Sequence, residues 1–187
     1  SQRTLFSEYF TSLPVLRSFN RGGKMNYMKI IPCDIANGEG VRVTIFVSGC
    51  NHRCPGCQNP ITWDATAGNP FVEDTMQELL DLLRPDYIRG LTFSGGDHLF
   101  VQNRLIVGYI CERVRKEFGN TKDIWMWTGY EWNQIKDWDH LHYIDVLVDG
   151  PYIEAKRDIS LPWAGSRNQR VINVERSLKE GEVMLWN

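Results

Sequence analysis

Three of the chain's five cysteines fall in one short stretch, Ser48-Gly49-Cys50-Asn51-His52-Arg53-Cys54-Pro55-Gly56-Cys57-Gln58-Asn59, spaced C-x3-C-x2-C. Thiols this close, with Gly and Pro between them, can wrap a metal centre but do not easily form mutual disulfides. A cubane iron–sulfur cluster normally takes four cysteine ligands. Three ligands in one loop leave one iron open, and an open iron can bind a small molecule. Zinc is the competing reading. Structural zinc takes four protein ligands, usually as two separated pairs, so His52 or the remote Cys33 would have to complete the set. Cys111 stands alone and reads as core packing.

Regular elements position this loop. Residues 41–47 (VRVTIFV) are a β-branched and aromatic run, a strand that ends at the cysteine loop. Residues 27–31, 91–93, 124–128 and 144–148 read as further strands. Helical spacing of apolar residues marks 71–84 (Met76, Leu79, Leu80, Leu83) and 103–118 (Ile106, Tyr109, Ile110, Val114), with a shorter helix over 131–138. The tail, at 170–174 and 183–186, adds one or two more strands. Continuous apolar strands alternating with helices imply a mostly parallel sheet. A closed eight-fold barrel takes about 250 residues. The expected fold is therefore α/β, a partial, open TIM-like β/α barrel.

In this arrangement Cys50, Gly95-Gly96-Asp97, Thr128-Gly129 and Asp149-Gly150 all follow the C-terminal ends of different strands, the edge where parallel α/β sheets bind ligands. Glycines there admit a ligand close to the backbone, or simply make a strand-to-helix turn. Asp97 either balances a cationic ligand or caps the following helix. His98, His140 and His142 carry no motif and read as surface or packing residues. His52 reads as shaping the cysteine loop or touching a partner. Most of the seven tryptophans read as core.

Composition bounds the rest. A chain of 187 residues is enough for one well-buried domain. With 42% hydrophobic residues, 24% charged residues and a net charge of -2, it lacks the charge bias of a nucleic-acid or membrane surface. No apolar run approaches the roughly 20 residues that span a bilayer. An odd count of five cysteines, three of them clustered, suits a reducing, cytoplasmic compartment rather than a secreted disulfide frame. Residues 1–24 are Ser-rich, basic and acid-poor, a bias that transit peptides share, and read as either such a segment or an upstream extension ahead of a domain spanning 25–187.

The cysteine spacing, followed about forty residues later by a Gly-Gly-acid turn, resembles the radical S-adenosylmethionine superfamily. The blocks Asp34-Ile35-Ala36-Asn37-Gly38-Glu39-Gly40-Val41-Arg42, Ser94-Gly95-Gly96-Asp97, Trp127-Thr128-Gly129-Tyr130, Asp149-Gly150-Pro151-Tyr152 and Gly165-Ser166-Arg167-Asn168-Gln169-Arg170 resemble, in order and spacing, the activating proteins of anaerobic (class III) ribonucleotide reductases. The resemblance implies a [4Fe–4S] cluster on Cys50, Cys54 and Cys57, with S-adenosylmethionine chelating the fourth iron. It implies that Gly56, Cys57, Gln58 and Gly96 line the cofactor, with Gly95, Asp97, Thr128 and Asp149 as further cofactor-binding candidates. The implied partners are the reductase's large subunit, in a homodimer or a heterotetramer with it, and a flavodoxin- or ferredoxin-type electron donor. His98 stands where the family commonly has proline. An activase of a pyruvate formate-lyase-like protein is the neighbouring alternative, although such chains often carry extra ferredoxin-like cysteines. A zinc-stabilised interaction module is the non-catalytic alternative. Cys54→Ala is expected to abolish S-adenosylmethionine cleavage, read as 5′-deoxyadenosine by chromatography, while far-ultraviolet circular dichroism stays that of the parent. Normal turnover in that variant would remove Cys54 from the ligand set.

Overall fold

The computed structural model describes residues 25–187, so the expected extension over 1–24 lies outside the described residues. Seven strands form one sheet: β1 (Asn26–Asp34), β2 (Val41–Val47), β3 (Asn69–Pro70), β4 (Ile88–Gly95), β5 (Asp123–Trp127), β6 (Val146–Asp149) and β7 (Arg170–Asn173). Their order across the sheet is β3-β1-β2-β4-β5-β6-β7. The central strands β2, β4, β5 and β6 are parallel, while both edges are antiparallel. The sheet is mostly parallel and does not close on itself.

Helix α1 (Glu73–Leu83) connects β3 to β4, α2 (Arg104–Phe118) connects β4 to β5, and α3 (Trp132–Ile135) lies between β5 and β6. The first two match the helical spacing of the sequence closely, because each presents a continuous apolar stripe. Three details differ from expectation. The expected 27–31 strand is longer and antiparallel, because it folds against β2 as a hairpin around the turn at residues 35–40. Residues 183–186 make only an isolated bridge, Ile172 to Leu185. Between them lies an unanticipated helix α4 (Val174–Glu180), started by Asn173 Oδ1 accepting the Arg176 N–H and ended at Gly181.

Side chains alternate across a strand, and here the two faces differ in chemistry. Val43, Ile45 and Val47, Leu91 and Phe93, Ile124 and Met126, and Leu147 join the helices in one buried core with Leu79, Leu83, Ile106, Ile110 and Val114. The other face carries Arg42, Thr44 and Phe46, Thr92 and Ser94, and Trp125 and Trp127. Trp125 is fully buried there, with the rings of Trp127, Trp163 and Trp186 centred 6.0, 5.6 and 5.9 Å away. Contrary to expectation, only Trp125 and Trp132 of the seven tryptophans are buried, and the other five are partly exposed, because the cluster around Trp125 packs on the face away from the helices, where it borders the cavity and the chain's end.

Arg42 is the charged centre of that second face. Its side chain is fully buried. It donates to Thr92 Oγ1 (2.6 Å), to the Glu39 carbonyl (2.9 Å), to the Leu91 carbonyl (3.0 Å) and to Asp123 Oδ1 (2.5 Å). Thr92 Oγ1 in turn donates to the Asn37 carbonyl at 2.7 Å, so one guanidinium fixes the β1–β2 turn against β4 and β5. Breaking a buried pair strands its partners without water. Arg42→Ala is expected to lower unfolding free energy by about 3 kcal/mol or more in urea denaturation. Arg89→Ala, on the exposed side of the same Asp123, is expected to cost less than about 1 kcal/mol.

Candidate functional site

Parallel pairing sets Val47 of β2 opposite Gly95 of β4, so the cysteine loop and the Gly-Gly-Asp turn start side by side. Hydrogen bonds carry the pairing past the strand ends. Gly96 N–H donates to the Val47 carbonyl and Asp97 N–H to the Gly49 carbonyl, each at 2.8 Å. Asn103 Nδ2 ties the same place from α2, donating to the Ser48 and Asp97 carbonyls. On the other side, Gly49 and Cys50 N–H groups donate to the Thr62 and Trp63 carbonyls. A Cβ at Gly96 would lie 2.7 Å from the Gly49 carbonyl oxygen, so only glycine lets the two turns touch.

Asp97 is the hub of the rim. It is 2% exposed. Its carboxylate accepts the Leu99 N–H (2.8 Å), the Gly129 N–H (2.9 Å) and the Thr128 hydroxyl (3.0 Å). His52 Nε2 sits 2.8 Å from Oδ2, outside ideal hydrogen-bond alignment. Burial alone would push the carboxyl upward. His52, the backbone donors and His98 outweigh it and hold Asp97 below its ordinary 3.8. Besides lining the cavity, Asp97 joins the β4 turn and the β5 turn, with His52 of the cysteine loop alongside.

His98, expected at the surface or in packing, is fully buried, with its ring nitrogens 3.0 Å from the Trp127 and Ser94 carbonyls. It locks together the ends of β5 and β4, and burial pushes its pKa down. A histidine read without its neighbours gives no signal for that role. His52 packs the loop against the β5 turn, its ring meeting Tyr130 edge-on at 4.6 Å.

Cys50, Cys54 and Cys57 are free thiols, partly exposed, and all three line one cavity of about 770 Å³. Gln58, Gly95, Gly96, Asp97 and Thr128 line it too, so five of the further candidates converge with the cysteines. Gly56 lies on the outer turn of the loop at φ 75°, beside Glu154 and Tyr152. Asp149 sits apart from the lining. Its carboxylate is taken by a two-pronged pair with Arg170 (3.0 and 2.5 Å) and by the Trp132 N–H. The lining also includes residues the sequence left without a role: Phe46, Trp127, Tyr152 and Trp163. The segment after β6 reaches the site only through tertiary contacts, such as Trp127 Nε1 donating to the Trp163 carbonyl at 2.8 Å. A shallower depression of about 540 Å³ on α1, among Asp74, Glu78 and Asp81, contains no such convergence.

Among the described residues no three His, Cys, Asp or Glu converge tightly enough to hold one metal ion. The three thiols line one cavity without a fourth protein ligand beside them among the described residues, which suits a cluster with one open iron better than structural zinc. Burial pushes the Cys50 thiol up, so its thiolate needs a cation beside it. Asn59 N–H approaches Cys57 Sγ at 3.4 Å, a bond of the kind that orients cluster sulfurs. The donor set and its surroundings fit an iron–sulfur cluster.

A family model described as a 4Fe-4S single cluster domain matches residues 36–172. The chain is 46% identical over 147 residues to the anaerobic ribonucleoside-triphosphate reductase-activating protein of Enterobacteria phage T4, covering 79% of this chain and 93% of that one. It is 44% identical over 151 residues to the protein of that name from Pasteurella multocida (78% and 95% covered). For the Escherichia coli K12 protein the identity is 42% over 151 residues (79% and 97% covered). Among the described residues no helix is long and apolar enough to cross a membrane.

The depressed titration of Asp97 has a direct consequence. A carboxyl lowered on folding contributes stability above its unfolded value, and that stability drains as pH falls through the folded value. Asp97→Asn must turn an amide N–H toward one of the buried donors, which is expected to cost about 2 kcal/mol at pH 7. Denaturant melts below pH 4 should show parent and variant converging. A gap that stays constant with pH would contradict the ionised assignment.

Proposed function

The chain belongs to the family of anaerobic ribonucleoside-triphosphate reductase-activating proteins, and on that footing we propose that it is a radical S-adenosylmethionine enzyme that places a glycyl radical on the large subunit of an anaerobic ribonucleotide reductase. The observation that carries this reading is the convergence of three free thiols and the Gly95-Gly96-Asp97 turn on one cavity of ligand size. When bound, a three-cysteine [4Fe–4S] cluster with S-adenosylmethionine supplies one-electron cleavage to methionine and a 5′-deoxyadenosyl radical, which takes a hydrogen atom from glycine. In this reading the sheet is the open part of a TIM-like β/α barrel, and 25–187 is a radical S-adenosylmethionine domain.

The roles of the chain's own residues follow from their places. Cys50, Cys54 and Cys57 would hold three irons and leave the fourth for the amino and carboxylate groups of S-adenosylmethionine. Gly96, lacking a side chain, leaves those groups room against the rim. Gln58 and Thr128 offer polar atoms along the lining. Asp97 is a positioning residue, because its acceptors are already engaged. Phe46, Trp127 and Trp163 give flat apolar walls that suit an adenine ring and keep water from a reactive carbon radical. Cleaving the sulfonium would consume one electron from outside the chain, for which a flavodoxin- or ferredoxin-type donor is the fitting class.

Anaerobic reconstitution with iron and sulfide, reduction by dithionite and addition of S-adenosylmethionine should give 5′-deoxyadenosine. Adding the reductase subunit should then give a glycyl-radical doublet by electron paramagnetic resonance. A colourless chain that holds one zinc and cleaves nothing would overturn the reading. Cleavage without a radical on that subunit would redirect it to another glycyl-radical protein.

A further inference from the structure

Two blocks of sequence remain without a role in this reading: Asp149-Gly150-Pro151-Tyr152 and Gly165-Ser166-Arg167-Asn168-Gln169-Arg170. They are the two stems of the long connection between β6 and β7, and they brace each other. Gln169 accepts the Gly165 N–H at 2.8 Å and donates to the Gly150 carbonyl at 3.0 Å. Asn168 donates to the Pro151 carbonyl at 2.7 Å, and Ser166 Oγ accepts the Ile153 N–H at 3.2 Å. The Asp149–Arg170 pair closes the base. So many polar bonds fix where the next residues, Tyr152 and Glu154, must sit.

They sit on the cysteine loop. A Cβ at Gly56, between Cys54 and Cys57, would collide with the Glu154 carboxylate and approach Tyr152 Cε1 to 3.3 Å. Tyr152 OH donates to Glu154 Oε2 at 2.7 Å, which holds the carboxylate in that place. Among the described residues no cation forms an ion pair with Glu154, and Arg157 acts on its partner Tyr152 only through space. We infer that Glu154 sets the reduction potential of the cluster bound by this loop, its negative charge opposing the arrival of an electron. The inference rests on the proposed function.

The physical argument is one of charge. Reduction adds one electron to the cluster, and a fixed negative charge beside its ligand loop makes that addition harder, lowering the potential. The Asn59 N–H on Cys57 Sγ acts in the opposite sense by stabilising charge on sulfur. A low potential is what a cluster needs to reduce a sulfonium, so Glu154 is a positioning residue for electron transfer rather than a catalytic one. Its partner Tyr152 holds the solvent-exposed carboxylate at that place on the loop.

The test is a redox titration of the reconstituted chain, with dithionite as the one-electron source and the reduced cluster counted by electron paramagnetic resonance. In Glu154→Gln, which preserves size and the bond to Tyr152, the ratio of reduced to oxidised cluster at the parent's midpoint should rise about threefold, as expected for losing one partly screened charge. Glu154→Asp, which keeps the charge, should stay near the parent. An unshifted midpoint in a fully loaded Glu154→Gln overturns this inference and leaves the proposed function standing. If Glu154→Gln loads poorly, a shifted midpoint in Glu154→Asp overturns it and a parental one supports it. A parent chain that takes up no iron–sulfur cluster overturns both.

Discussion

The in-register parallel pairing of β2 with β4 is the constraint on which the site depends. With Val47 held opposite Gly95, the two turns that leave those strands are neighbours before any side chain acts. The ladder then continues through Gly96 and Asp97 into Val47 and Gly49, so the rim is an extension of the sheet. A slip of one residue would reverse the faces of β2. Val43 and Ile45 would leave the helix-side core, and Arg42 and Phe46 would enter it. The large apolar cost of that exchange is what keeps the thiols beside the glycine turn.

Two buried charges govern the face that bears the cavity, and they do different things. Arg42, near the start of the parallel strands, gathers carbonyls from Glu39 and Leu91 and one carboxylate. Asp97, at their ends, gathers N–H and hydroxyl donors from the β5 turn and from its own turn, with His52 of the cysteine loop alongside. One cation satisfies acceptors and one anion satisfies donors, each in a place closed to water. Burying either ion is costly unless it is fully paired. Both are, so rigidity at the two ends of the sheet comes from the same physical rule.

What could be read from the sequence depended on how local the signal was. The central strands and α1 and α2 were legible because each carries its own apolar run or stripe. The cysteine loop and the glycine turn were legible because few residue types do that chemistry at that spacing. Arg42 was hidden, since a lone arginine ordinarily reads as a surface residue, and only the packing of Trp125 and Thr92 around it makes it internal. His98 and Asp149 were hidden for the same reason, their partners lying far along the chain. The wall formed by Tyr152 and Trp163 depends on how the β6–β7 connection folds back, which no local pattern announces. Helix α4 is short and mostly polar, and its start is carried by the single cap at Asn173.

The order of pairing also bears on how the chain reaches this state. β2 and β4 are separated by the cysteine loop, β3 and the whole of α1, so their ladder forms only after a long loop has closed. Such non-local parallel pairings are slow to form. Until they do, Cys50, Cys54 and Cys57 ride on a segment with nothing to anchor it, in a chain that also exposes Cys33. In the unfolded chain these three thiols, which do not easily pair with one another, are free to meet Cys33 and Cys111 and oxidise into wrong linkages. Refolding yield therefore becomes a matter of thiol chemistry as much as of hydrophobic burial, and a reducing, oxygen-free medium acts as a folding condition for this protein.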